Sequence, residues 1–197
     1  MRSIVSRIYR KLLRRDRVEI ERIFDHYRKL LRENGPAIGR VLKTDCFNEG
    51  VGDFRDLGDI LDPNRTTYLE IDVAVIEKAV AEHPDWDFRA GDIRKLPFDD
   101  FTFNTIFDLS TVDHVPPSDL NTVLGEYHRV LKYNGKLVMV AWCADERRDE
   151  PVDWGGLQYF FYEPDIMAAM SGFSLYHRDV IHRGDGVYLA EFIARKT

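Results

Sequence analysis

The stretch Leu96–Val140, "LPFDDFTFNTIFDLSTVDHVPPSDLNTVLGEYHRVLKYNGKLVMV", decides how the rest of the chain is read. An acidic turn leads into "FNTIFDLS", which reads as a strand ending on the polar Asp108, followed by a loop that carries Asp113 and His114. "SDLNTVLGEYHRVLKYNG" then has the spacing of a helix, with Ser118 as its expected cap and Asn134–Gly135 as its stop. "KLVMVAW" follows as another apolar strand. Strands apolar on both faces and separated by a helix imply a parallel sheet covered on both sides.

The same alternation extends outward in both directions. Upstream, "RVLKTDCF" and "TTYLEID" read as strands, "AVIEKAVAEH" as a helix opened by Asp72, and "WDFRAGDI" as a strand running into a turn. Downstream, the charged loop "CADERRDEPVDWGG" is long enough for a lid or substrate loop, then comes a helix, "EPDIMAAM", and two strands joined near "RGDG". Right-handed crossovers place the carboxyl ends of parallel strands along one edge, where ligands bind.

The first 36 residues read as a helical extension and residues 37–197 as a single Rossmann-like domain. In "MRSIVSRIYRKLLRRDR", Ile4, Val5, Ile8, Tyr9, Leu12 and Leu13 form an apolar stripe backed by Arg and Lys. Such a helix either packs across the domain with its Arg residues in water or makes weak contact with an anionic membrane surface or substrate. A second periodic segment, from Ile20 to Leu31, stops at Asn34–Pro36.

A net charge of -6 gives no global attraction for nucleic acid. No apolar run reaches the ~20 residues of a membrane span, and a cytoplasmic location is expected. Cys46 and Cys143 form no C-x-x-C pair and are expected to be reduced thiols. No His/Cys/Asp cluster has ligand spacing, so no metal is expected. Oligomeric state is not legible.

Candidate site residues fall at strand ends. Glu70 closes the second strand, where an acid accepts hydrogen bonds from ribose hydroxyls in nucleotide-binding sheets. In "AGDI", Gly91 permits close backbone approach, Asp92 can accept from an exocyclic amine, and Ile93 can cover a flat ring. His114, then Asp113, are the candidate bases, because their loop follows the fourth strand.

The segments "LPFDDFTFNTIF", "DHV" and "EYHRVLKYNGKLVMV" resemble the acidic turn and fourth strand, the "HHV"-like loop, and the "E-x-x-RVLKPGG" helix and fifth strand of class I S-adenosylmethionine-dependent methyltransferases of the small-molecule type. The resemblance runs from about Arg40 to Trp142 and more loosely to the C-terminus. It implies an α/β, doubly wound, mostly parallel seven-stranded sheet in the order 3-2-1-4-5-7-6, with strand 7 antiparallel. It also implies S-adenosylmethionine as cofactor and methyl transfer to a small-molecule acceptor by in-line displacement. Glu70 and Ile71 fall on the ribose acid and its neighbour, Asp92 and Ile93 on the adenine pair, and Asp108 and Leu109 on the strand-four end near the methionine portion.

Three segments depart from the family pattern. Asn104 stands where Asp is common, and "YNG" replaces "PGG". In "RVLKTDCFNEGVGDF" (Arg40–Phe54), Asp45, Phe47 and Glu49 replace the G-x-G-x-G glycines. Phe47 is expected to fill cofactor space unless the loop takes another course. A turn built on Gly50 and Gly52 would still offer backbone N–H groups to a carboxylate, with Asp45, Asn48 and Glu49 close to the cofactor's ammonium. The alternative is a catalytically degenerate methyltransferase fold that serves as a binding or partner module.

Overall fold

The computed structural model describes residues 17–52, 54–148, 151–153, 157–184 and 186–197. The basic segment at the very start of the chain therefore lies outside the described residues. Five strands, β1 (Val41–Lys43), β2 (Thr66–Glu70), β3 (Asp87–Ala90), β4 (Phe103–Leu109) and β5 (Leu131–Ala144), form the parallel half of the sheet. The chain then makes β6 (Val152–Asp153), β7 (Leu157–Gln158), β8 (Phe161–Tyr162), β9 (Phe173–Gly184) and β10 (Val187–Lys196). The main path is β3-β2-β1-β4-β5-β10-β9, with β10 antiparallel to both its neighbours. This is the expected order, with β9 and β10 in the places of the sixth and seventh strands. An eighth strand departs from expectation: β8 adds two residues parallel to the end of β5, where β4 no longer covers it. β6 and β7 pair separately as a short ribbon.

Period-two alternation sends neighbouring residues to opposite faces. Leu42, Ile106, Leu137 and Met139 pack under helix α4 (Leu120–Val130), which contributes Val123, Leu124, Tyr127 and Val130. Val41, Phe107, Val138 and Val140 face the other way, against Tyr27, Leu30 and Leu31 of helix α1 (Arg17–Asn34). The first helix of the description is thus part of the core, not a loose appendage. The remaining helices, in chain order, are the single turn Phe47–Gly50, Val73–Glu82 and Glu163–Ala169.

Two helix ends differ from the sequence reading. Ser118 caps nothing; Asp119 is the N-cap residue of α4 and makes no side-chain capping bond, because a 3-10 turn over Pro117–Asp119 already turns the chain. The helix also stops at Val130 and not at Asn134–Gly135, since Leu131 is extended and enters β5 opposite Phe103. Asn134 takes a left-handed φ of 58° within that strand. The cap at Asp72 is as expected: its carboxylate accepts from the Ala74 N–H at 2.8 Å. Asp72→Ala is expected to cost about 1 kcal/mol in urea denaturation, the usual worth of such a cap.

The "EYHR" motif has a direct physical role. Glu126 accepts from the Leu96 N–H at 2.7 Å, while Arg129 donates to the carbonyls of Phe98 at 2.7 Å and Leu96 at 3.0 Å. The pair closes the acidic turn onto α4 and fixes where β4 begins. Asn104 accepts from the Arg40 N–H at 3.0 Å, which aligns β1 beside β4.

Candidate functional site

The carboxyl ends of β1, β2 and β4 border a cavity of about 800 Å³, within the size range of small-molecule sites. It lies at the point where the strand order reverses between β1 and β4, the position expected for a ligand in a doubly wound sheet. Helix α1 closes its far side.

The altered loop after β1 takes its own course. Lys43, at the last position of β1, is 1% exposed; its ammonium donates to the Asp45 carbonyl at 3.0 Å and to Glu49 Oε2 at 3.2 Å, and pairs with Asp45 Oδ2 at 3.1 Å. Burial alone would pull the ammonium down, but Asp45 and Glu49 outweigh it and hold it firmly protonated. Burial pushes Glu49 up to about 7 against the attraction of Lys43, and its Oε1 has no hydrogen-bond partner. Its carboxylate therefore faces the buried lysine and does not line the cavity.

The glycines of this loop serve packing. A Cβ on Gly50 would come within 2.6 Å of the Val75 carbonyl, so this position lets the turn sit against the helix Val73–Glu82. The N–H groups of Gly50 and Gly52 are spent on the carbonyls of Cys46 and Phe47. Phe47 lines the cavity without closing it, and Asp45 and Asn48 line it as well. Asn48 is 8% exposed and its Oδ1 is unpaired, an acceptor in want of a donor.

Glu70 also borders the cavity. One of its oxygens accepts from the Ile71 N–H at 2.8 Å and the Asp72 N–H at 3.0 Å. A carboxylate has about four lone-pair sites, so capacity for a ligand remains. Burial raises Glu70, and these backbone donors partly offset it. Ile71, 66% exposed, and Ile93, 6% exposed, both line the cavity. Asp92 does too, but Arg94 grips both its oxygens and also reaches Asp119 at 3.1 Å. The Arg94 guanidinium holds Asp92 below the usual carboxylate range.

Leu109 lines the cavity, whereas Asp108 is fully buried behind it. Asp108 accepts from the N–H groups of Thr111 at 2.7 Å and Val112 at 3.1 Å and from the Tyr127 hydroxyl at 2.6 Å. Burial lifts it to about 6 against these donors. It shapes the loop after β4 from the inside.

Asp113 and His114 are separated by this loop's geometry. Asp113 is buried: one oxygen accepts from the Trp142 N–H at 2.8 Å, its carbonyl accepts from the Tyr159 N–H at 2.7 Å, and Oδ2 is unpaired. Burial raises it well above the carboxylate range. His114 is exposed at the cavity, with Nδ1 3.0 Å from the Leu157 carbonyl. A carbonyl only accepts, so Nδ1 donates in this contact. Together the two residues tie the segment around β7 to the loop after β4.

Several lining residues gave no functional signal in the sequence. Tyr27 reads as one more apolar position of a helical stripe, yet its hydroxyl lies 2.7 Å from Ser110 Oγ. Ser110 has a φ of 68°, a left-handed conformation uncommon outside glycine, at the end of β4. Lys43 did carry a signal: a lysine in an otherwise apolar strand followed by two acids asks for an internal ion pair.

The cavity brings together the Glu70 acceptor, an apolar pair in Ile71 and Ile93, and the side chains of Asp45 and Asn48, a set whose chemistry fits an adenosyl group. Among the described residues no cluster of His, Cys, Asp or Glu is arranged to hold a metal ion, and no helix is long and apolar enough to cross a membrane.

Residues 50–139 match the model of a methyltransferase domain family. No curated protein matches the chain in sequence. Among solved structures, the PH0226 protein from Pyrococcus horikoshii OT3 superposes with a TM-score of 0.66 at 20% identity, over 93% of this chain and 93% of its own. Geranyl diphosphate C-methyltransferase from Streptomyces coelicolor A3(2), solved with Mg2+, geranyl diphosphate and S-adenosyl-L-homocysteine, has a TM-score of 0.69 at 13% identity, over 88% of this chain and 77% of its own. The 1,6-didemethyltoxoflavin-N1-methyltransferase of Burkholderia thailandensis, with 1,6-didemethyltoxoflavin and S-adenosylhomocysteine bound, has a TM-score of 0.62 at 17% identity, over 89% of this chain and 78% of its own. At such identities the likeness establishes the fold. Sheet order and family match agree: the chain has the fold of class I S-adenosylmethionine-dependent methyltransferases, and residues 50–139 are similar to a methyltransferase domain.

Proposed function

We propose that the chain transfers a methyl group from S-adenosylmethionine to a small-molecule acceptor. The observation that carries this reading is a single cavity of about 800 Å³ that joins the Glu70 carboxylate to the ends of β1 and β4. Glu70 would hold the ribose hydroxyls, Ile71 and Ile93 would cover the adenine, and Leu109 would meet the methionine portion. Asp45 would receive the ammonium, with the Asn48 side chain beside it. Asp92 would take the adenine amine in company with Arg94. Glu49, Gly50 and Asp108 support the site from behind.

S-adenosylmethionine brings an activated methyl on a good leaving group. The protein's task is then to align the acceptor for in-line displacement and to exclude water. The small-molecule ligands of the geranyl diphosphate and toxoflavin-type neighbours favour an acceptor of that class. The N-terminal extension would contribute α1 as one wall. Calorimetric titration with S-adenosylhomocysteine tests the reading: one site per chain is expected, and no heat at millimolar ligand would remove the enzyme.

We assign His114 to tethering β7 and not to proton abstraction. His114→Gln is expected to keep kcat within tenfold of the parent while loosening the segment around β7, measured as faster amide exchange near Leu157. A base would contribute 10²-fold or more, and a drop of that size would restore it as one.

The second reading, a binding module without transfer, is favoured by one observation, the Arg94 grip on Asp92. It predicts no heat of S-adenosylhomocysteine binding in calorimetry and no methyl transferred to any acceptor in a cell extract supplied with labelled S-adenosylmethionine.

A further inference from the structure

The cavity continues past the residues assigned to the cofactor. Its far wall is formed by Ile20, Ile23 and Phe24 of α1, with Glu21 among them, by Phe54 from the loop after β1, and by Trp142 of β5. Phe24 and Phe54 stack with centroids 3.7 Å apart and planes 10° from parallel, so this wall is a rigid apolar surface. Within that apolar wall, one polar pair stands out. Tyr27 Oη and Ser110 Oγ share a single hydrogen bond at 2.7 Å, and both residues border the cavity. Two hydroxyls joined by one bond retain one proton and several lone pairs between them, and Ser110 also lies within hydrogen-bonding reach of the Asp113 carboxyl. Ser110 is held at this place in a left-handed backbone conformation that a non-glycine residue rarely adopts, a form of strain that clusters at ligand sites.

We infer that α1 and Trp142 form the acceptor subsite, and that it takes an apolar small molecule bearing one hydroxyl, with the hydroxyl seated on Tyr27 and Ser110 and the apolar body against Ile23, Phe24, Phe54 and Trp142. The inference rests on the methyl-transfer reading for the word acceptor; the subsite itself rests on the wall and the hydroxyl pair. An anionic acceptor would be poorly served by this wall, because a buried charge needs a partner and the charged side chain present, Glu21, is itself an acid. Lys43, on the cofactor side, is already occupied by Asp45 and Glu49. The polar pair also orients its ligand: an apolar body without a hydroxyl satisfies the wall but leaves Tyr27 and Ser110 as they are.

The test uses the full chain and two probes, 1-naphthol and naphthalene, titrated by calorimetry with and without saturating S-adenosylhomocysteine. Expected is one site for 1-naphthol, bound more tightly than naphthalene. Tyr27→Phe keeps the ring and its packing, so it should weaken 1-naphthol about tenfold, the loss of one hydrogen bond, while naphthalene is unchanged. Ser110→Ala should reproduce this selectivity, and because it removes no ring it controls for repacking of α1. The inference is overturned if 1-naphthol fails to bind, or if Tyr27→Phe and Ser110→Ala weaken the two probes equally or not at all. If 1-naphthol binds selectively and S-adenosylhomocysteine does not, the subsite stands and methyl transfer falls. If S-adenosylhomocysteine binds and 1-naphthol does not, the cofactor reading stands and this subsite falls.

Discussion

Replacing Lys43 with Met is expected to destabilise the protein by about 3–5 kcal/mol, read from the urea midpoint, because it leaves the buried Glu49 carboxyl without its counter-charge and removes the partner of Asp45 at the cavity wall. Lys43 is 1% exposed and Glu49 0% exposed, so water cannot take over the pairing. Against a total stability of about 5–15 kcal/mol, the loss would leave a marginal fold. Adding Glu49→Gln to Lys43→Met should recover part of it, since a neutral amide needs no counter-charge. The same carboxyl gives a pH signature in the unaltered protein. Its folded pKa, pushed up to about 7, lies above the ordinary value of 4.5, so the native state binds the proton more tightly than the unfolded chain. Its contribution is therefore fully present below about 4.5 and is lost as pH rises to about 7. Glu49→Gln should flatten that slope. A Lys43→Met variant as stable as the parent would mean that the loop carries no internal ion pair, and the account of how it dispenses with glycines would go with it.

This ion pair also shows what a sequence reveals and what it hides. Strands β1, β4 and β5 were legible because apolar residues on both faces imply a covered sheet, whereas the turn that Glu126 and Arg129 pin was not, because their partners are backbone groups about 30 residues away. Strand ends pointed to Glu70 and Ile93, and both line the cavity. The course of the loop after β1 was not. Phe47 was expected to compete with ligand, but a one-turn helix held by Lys43 to Asp45 and Glu49 carries it to the cavity's side. The partner of Tyr27 was hidden for a different reason: Ser110 is 83 residues away, and nothing local distinguishes a hydroxyl in use from one in passing. Asp113 and His114, adjacent in sequence, point to different environments because the 3-10 turn Val112–His114 buries one and exposes the other. A two-residue strand such as β8 has too short a pattern to read at all.

Glu70→Ala is expected to weaken S-adenosylhomocysteine binding by about tenfold to a hundredfold in calorimetry, the worth of hydrogen bonds to a charged acceptor. Two functions of this carboxylate must be told apart. It accepts from the N–H groups of Ile71 and Asp72, which shapes the turn into the helix Val73–Glu82, and it borders the cavity where ribose hydroxyls would lie. Loss of the turn alone would affect stability and binding together. Asp72→Ala disturbs the same helix start without touching the carboxylate, so its effect on affinity measures the indirect part. Glu70→Gln offers the complementary control, because the amide oxygen can still accept from Ile71 and Asp72 while the charge is gone. If ligand hydroxyls bond to the carboxylate, Glu70→Gln should lose most of the affinity that Glu70→Ala loses while keeping near-parental stability. Affinities for Glu70→Ala and Glu70→Gln within threefold of the parent would show that ribose is held elsewhere, and the assignment of this strand end would be wrong even though the fold is right.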